Sequence, residues 1–155
     1  MKKLKGFTLI ELLLVIAIIS ILLVVVFAAL NPATRLQESR DARRWNDVNQ
    51  VLTAVHECLV DNDGSFTTCG LTGPQVLTQL GTGTGCASGG DSPCTGAAAA
   101  CDNDVEAALD NYIAKIPSDP QATAGKTGYS VTIANGIVTI SACQAEGTDP
   151  ISVSR

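Results

Sequence analysis

Histidine, closely paired cysteines and charge are all scarce in this sequence. His56 is the only histidine, and it lies two residues before Cys58, so the two side chains would point to different sides of a helix. The six cysteines include no C-x-x-C pair. Together these absences argue against a zinc site and against a catalytic thiol. Charged residues make up 16 % of the chain and its net charge is -5, which argues against bare electrostatic capture of DNA. Gly81 to Ala100 is rich in Gly, Ser, Thr and Ala, but no lysine follows its glycines, so it does not cradle a phosphate. Gly125-Lys126-Thr127 copies the end of a P-loop, yet Pro120 stands where the first glycine belongs. Aligned on Gly64 as a calcium loop, Asp61-Asn62-Asp63-Gly64 puts Leu59 and Gly70 where acidic ligands are required, so it reads as a polar turn.

What the sequence does have is concentrated at its start. Lys2, Lys3 and Lys5 precede Gly6, then Phe7-Thr8-Leu9-Ile10-Glu11, then an apolar run from Leu12 to Leu30 in which only Ser20 is polar. At ~1.5 Å per residue that run makes roughly 28 Å of helix, close to the thickness of a bilayer's hydrocarbon core. Glu11 is the one charge between Phe7 and Leu30. A carboxylate at that depth costs about 2.5–3.5 kcal/mol, and no basic residue lies nearby after Gly6, so its partner must come from elsewhere. An ordinary secretory signal fits less well, because its apolar stretch spans ~7–15 residues and rarely opens on a glutamate. A plain single-span anchor is the other simple reading. Charge bias does not set the orientation, since Arg35, Arg40, Arg43 and Arg44 follow the span as closely as the lysines precede it.

Lys5-Gly6-Phe7-Thr8-Leu9-Ile10-Glu11 resembles the leader junction of type IV prepilins and of the pseudopilins of type II secretion systems. The resemblance implies a leader peptide at residues 1–6, a transmembrane and assembly helix at 7–30, and an extracytoplasmic pilin-like domain at 31–155. It implies cleavage after Gly6 by a prepilin peptidase, which also methylates the new amino terminus of Phe7. Glu11 would then meet the Phe7 ammonium of a neighbouring copy in a helical homo-oligomer, where an apolar surround favours matched charges over unmatched ones. The implied partners are the peptidase/methyltransferase, an inner-membrane assembly platform, minor pilins or pseudopilins, and membrane lipid before assembly. The implied location is the inner membrane, single-pass, and then a periplasmic or cell-surface filament. On this reading the chain is a structural subunit, not an enzyme, with no cofactor and no metal site. The alternative is a membrane-anchored extracytoplasmic binding domain that does not polymerise.

The remaining sequence predicts an α+β fold: a long N-terminal helix, bent near Pro32, packed on a small antiparallel sheet. The helix is expected from about Thr8 to Val60, with a kink or break at Pro32 because proline removes a helical hydrogen bond. Beyond Pro32 the stripe Trp45, Val48, Leu52, Val55, Leu59 faces the domain, while Arg43, Arg44, Asp47, Asn49, Gln50 and Glu57 lie on the remaining surface. Asp61 to Gly64 stops the helix. Gln75 to Leu80 is expected to begin a short helix after Pro74, and a further helix is expected from Asp102 or Asn103 to Lys115. Asn135-Gly136 between Gly128–Ala134 and Ile137–Cys143 specifies a hairpin in which Tyr129, Val131, Ile133, Val138, Ile140 and Ala142 share an apolar face. Cys143 then falls on the polar face. Cys58, Cys69, Cys86, Cys94, Cys101 and Cys143 allow up to three disulfides in an exported domain, with Cys58–Cys69 the first choice because it would staple a short loop to a helix end. Tyr112 to Pro120 resembles the segment before the final sheet of major pseudopilins. A calcium loop follows such a segment in that family, but Asp119 has few acidic companions here, so no metal site is carried over.

Overall fold

The computed structural model describes residues 6–71, 77–81, 94, 104–123 and 125–155. It divides into two compact units, the first ending at Leu36 and the second running from Gln37 to Arg155. In the first, helix α1 spans Leu9–Leu30 and buries none of its side chains. It ends at Asn31, whose backbone is left-handed (φ 37°, ψ 73°), and helix α2 (Pro32–Asp61) starts at the next residue. Proline is tolerated there because the first N–H of a helix has no intrahelical acceptor to lose. The interruption expected at Pro32 is therefore a break at Asn31. The first unit holds the one helix, among the described residues, that is long and apolar enough to cross a membrane.

The second unit is α+β. Strands β1 (Thr78–Gln79), β2 (Tyr129–Ala134), β3 (Ile137–Ala142) and β4 (Ser152–Ser154) form one antiparallel sheet in the order β1-β2-β3-β4. The hairpin register is the one its turn dictates: Tyr129 faces Ala142, Val131 faces Ile140 and Ile133 faces Val138. Asn135 and Gly136 both have positive φ (54° and 80°), as a type I′ turn requires. The apolar face of the hairpin joins Val48, Val51, Leu52 and Val55 of α2 in a single core. α2 stops where expected, as Gly64 (φ 79°) turns the chain and its N–H bonds to the Leu59 carbonyl at 2.7 Å.

Three expectations are corrected. Thr78–Gln79 is a strand, not part of a helix, because its backbone completes the β2 edge; Gln75 and Val76 lie outside the described residues. Helix α3 covers only Asp104–Ala108, and the chain then tightens into a turn in which Tyr112 N–H bonds to the Leu109 carbonyl. Val105, Leu109, Ile113 and Ile116 are nonetheless all buried. Finally, the buried face of α2 keeps Val48, Leu52, Val55 and Leu59, as the spacing predicts, but differs at Trp45 and extends to two charged residues. Trp45 is 43 % exposed, whereas Arg44 and Asp47 are buried. The cause is long-range: both charged residues find partners elsewhere in the fold.

Candidate functional site

The N-terminal site is built on a helix start. Thr8 caps α1 in an extended conformation (φ −83°, ψ 153°), and Gly6, Phe7 and Thr8 all precede the helix. Thr8 N–H and Thr8 Oγ1 each donate to Glu11 Oε2 at 2.8 Å, while Glu11 N–H donates to Thr8 Oγ1 at 3.3 Å. This is a capping box, in which two orphan donors of the first turn are satisfied reciprocally. Glu11 therefore has neutral hydrogen-bond donors within its own chain, both from Thr8, which the sequence reading did not anticipate. Both donors converge on Oε2, and a carboxylate has a second oxygen with which to accept another. The Thr-x-x-Glu spacing before an apolar run signals this arrangement directly.

Gly6 and Phe7 are exposed, Phe7 at 88 %. A Cβ added at Gly6 would meet nothing within 4 Å. Among the described residues nothing around Gly6 demands a glycine on steric grounds. The Gly6–Phe7 bond also lies outside the helix, where a protease can bind extended backbone without unwinding a turn. Farther along α1, Ser20 Oγ donates to the Ile16 carbonyl at 2.7 Å, so the hydroxyl is satisfied within its own helix.

Residues 1–27 match the family model of the prokaryotic N-terminal methylation motif. The chain carries the signature of type IV pilins and pseudopilins. The motif supports a precursor of the pilin or pseudopilin type, and α1 with this motif fits membrane anchoring. No curated protein and no solved structure matches the chain.

The second unit contains a buried ionic cluster that the sequence did not reveal. Arg44 is fully enclosed, and its Nε and Nη2 donate to the two oxygens of Asp119, itself without exposed side-chain surface. Its Nη1 donates to Asp41 Oδ1 at 2.7 Å and Glu146 Oε1 at 3.0 Å, and its Nη2 also reaches Gln121 Oε1 at 2.9 Å. Arg40 grips Glu146 through Nε and Nη2. Asp41 accepts the backbone N–H groups of Glu146 and Gly147 at 3.1 and 2.8 Å. Burial disfavours the Arg44 charge, but the carboxylates of Asp119, Asp41 and Glu146 outweigh it and raise its pKa. The Arg40 guanidinium holds the Glu146 carboxyl down at about 2, with Arg44 adding to the effect. Tyr129 donates to Asp47 Oδ2 at 2.6 Å, and burial together with that bond keeps its hydroxyl protonated. Gly128 makes room for the cluster: a Cβ there would come within 2.6 Å of the Asp119 Cβ. Asp119 is thus committed to Arg44, and no described group of acidic, histidine or cysteine side chains could hold a metal ion.

Two disulfides are present among the described residues. Cys58 at the end of α2 is bridged to Cys69, and Cys94 is bridged to Cys143. Cys143 does lie on the polar face of the hairpin, and the bridge brings Cys94 over that face, where its Sγ is 3.2 Å from Ser130 Oγ. Ser130 and Ser141 are buried as a result. Cys86 and Cys101 lie outside the described residues.

Proposed function

We propose that this chain is the precursor of a structural subunit of a type IV pilus-like filament or type II secretion pseudopilus, without enzymatic activity of its own. The observation that carries the reading is the methylation motif on a helix that is apolar on every side except for Glu11. Cleavage after Gly6 by a prepilin peptidase creates an ammonium on Phe7, next to the only anion of the helix. Before assembly α1 stays in the bilayer, because moving a helix of exposed Leu, Ile and Val side chains into water is prohibitive. In the filament, lipid contacts are exchanged for neighbouring helices. Each Glu11 then accepts from a neighbour's Phe7 ammonium, while the capping box holds its other oxygen. The globular unit faces an oxidising compartment, consistent with its two bridges.

The test is mass spectrometry of the mature amino terminus combined with filament yield from Glu11→Ala. A methylated phenylalanine in the wild type, with a processed but poorly polymerising variant, is the expected result. Retained Met1 would overturn the reading in favour of a tethered binding domain, whereas an undiminished filament yield from the variant would refute the pairing of Glu11 with the Phe7 ammonium.

A further inference from the structure

The ionic cluster around Arg44 joins the stretches of the globular unit that tension loads, and we propose that it is a mechanical clamp. This rests on the filament reading, since a filament subunit is what would carry load through α1. The disulfides decide which stretches bear it. Force applied between the two ends of the chain runs along α2 to Cys58, crosses to Cys69, continues to Cys94 and crosses to Cys143. Residues 59–68 and 95–142 lie inside closed covalent loops and are not extended. That sheltered part contains β2, β3 and Asp119. The loaded parts include α2 up to Cys58 and the C-terminal stretch from Cys143, with β4.

The cluster ties those loaded parts to each other and to the sheltered part. Arg40 and Arg44 on α2 both hold Glu146, and Asp41 holds the N–H groups of Glu146 and Gly147, across 102–106 residues of sequence. Arg44 also locks onto Asp119, so the start of α2 is fixed to chain that cannot stretch. All these bonds sit within two turns of Gln37, where the globular unit begins. Without them, α2 would peel from its N-terminal end one turn at a time, uncovering Val48, Val51 and Val55 in sequence. With them, peeling cannot start until several charge-assisted bonds, partly shielded from water, break together. At the far end of α2, Cys58–Cys69 makes the second fastening.

The test is single-molecule pulling on the oxidised full chain in detergent micelles, held by tags at its two ends. Glu146→Gln should shorten the lifetime of the folded globular unit before its first rupture, at fixed load, by roughly tenfold or more. Asp119→Asn should act in the same direction. Val138→Ala, a fully buried site in the sheltered hairpin, should lower stability to denaturant but leave the first-rupture lifetime unchanged. Wild-type lifetimes for Glu146→Gln, or an equal shortening by Val138→Ala, would overturn the clamp. Because single chains are pulled, the outcome does not depend on polymerisation, which the amino-terminal and filament measurements address separately.

Discussion

Replacing both Cys94 and Cys143 by alanine should be among the most damaging changes to the globular unit that leave its ionic cluster intact. The bridge closes a sequence separation of 49 residues, and the chain-entropy cost of freeing a loop of that length in the unfolded state is about 4 kcal/mol. For Cys58–Cys69, with a separation of 11, the same relation gives about 3 kcal/mol. A domain of this size is stable by about 5–15 kcal/mol in total, so the first change consumes a large fraction and the second a smaller one. Trp45 is the only tryptophan and sits on α2 beside Arg44, so its fluorescence follows the globular unit without interference from α1. Guanidinium titration of the full chain in micelles should show the midpoint falling by about 1 M for Cys94→Ala/Cys143→Ala, and by less for Cys58→Ala/Cys69→Ala. The reverse order, or a loss below about 1 kcal/mol for the longer loop, would refute the idea that the bridges act by restricting the unfolded chain.

Three further outcomes are expected. Asp119→Asn removes one partner of a fully buried pair and should cost about 3 kcal/mol, the low end for such a loss because Arg44 keeps Asp41 and Glu146; calorimetry reads it as a melting point lower by about 10 °C. Glu146 titrates near 2 in the folded unit and near its ordinary 4.5 when unfolded, so its contribution is complete above the unfolded value and is lost as pH falls from about 4.5 to about 2. Glu146→Gln should flatten the acid limb of a stability-against-pH curve over that interval, and an unchanged limb would count against the Arg40–Glu146 pairing. Gly6→Val meets no steric obstacle in the chain itself, so it should leave folding intact while producing a precursor-sized band; a mature-sized band would refute the junction.

The sequence was most legible where independent local signals agreed. Asn135-Gly136 supplied a turn, the flanking alternation supplied a face, and both specified the pairing Tyr129–Ala142 found in the sheet. The N-terminal methylation motif was legible for a different reason: it is a run of consecutive residues, read without any knowledge of the fold. Strands β1 and β4, two and three residues long, are too short to show any alternation. The burial of Arg44 and Asp47 on α2 was missed because a charged residue on a helix reads as solvated unless its partner is known. Arg44 has its partners 75 and 102 residues away, beyond any local pattern. Thr8 was within reach, since its spacing to Glu11 is the capping signature itself.

The sides of α1 carry almost no information. Beyond Glu11 its flanks are apolar in every direction, and the single hydroxyl among them is turned back onto its own backbone. Identical rods of this kind can rotate about their axes or slide past one another at little cost. In the filament proposed above, the pitch would then be set at the two extremities of the rod, by the acid and amine at one and by the folded head at the other. Swapping the head would alter the spacing of the copies, whereas reshuffling the aliphatic residues between Leu12 and Leu30 would leave it much as it was.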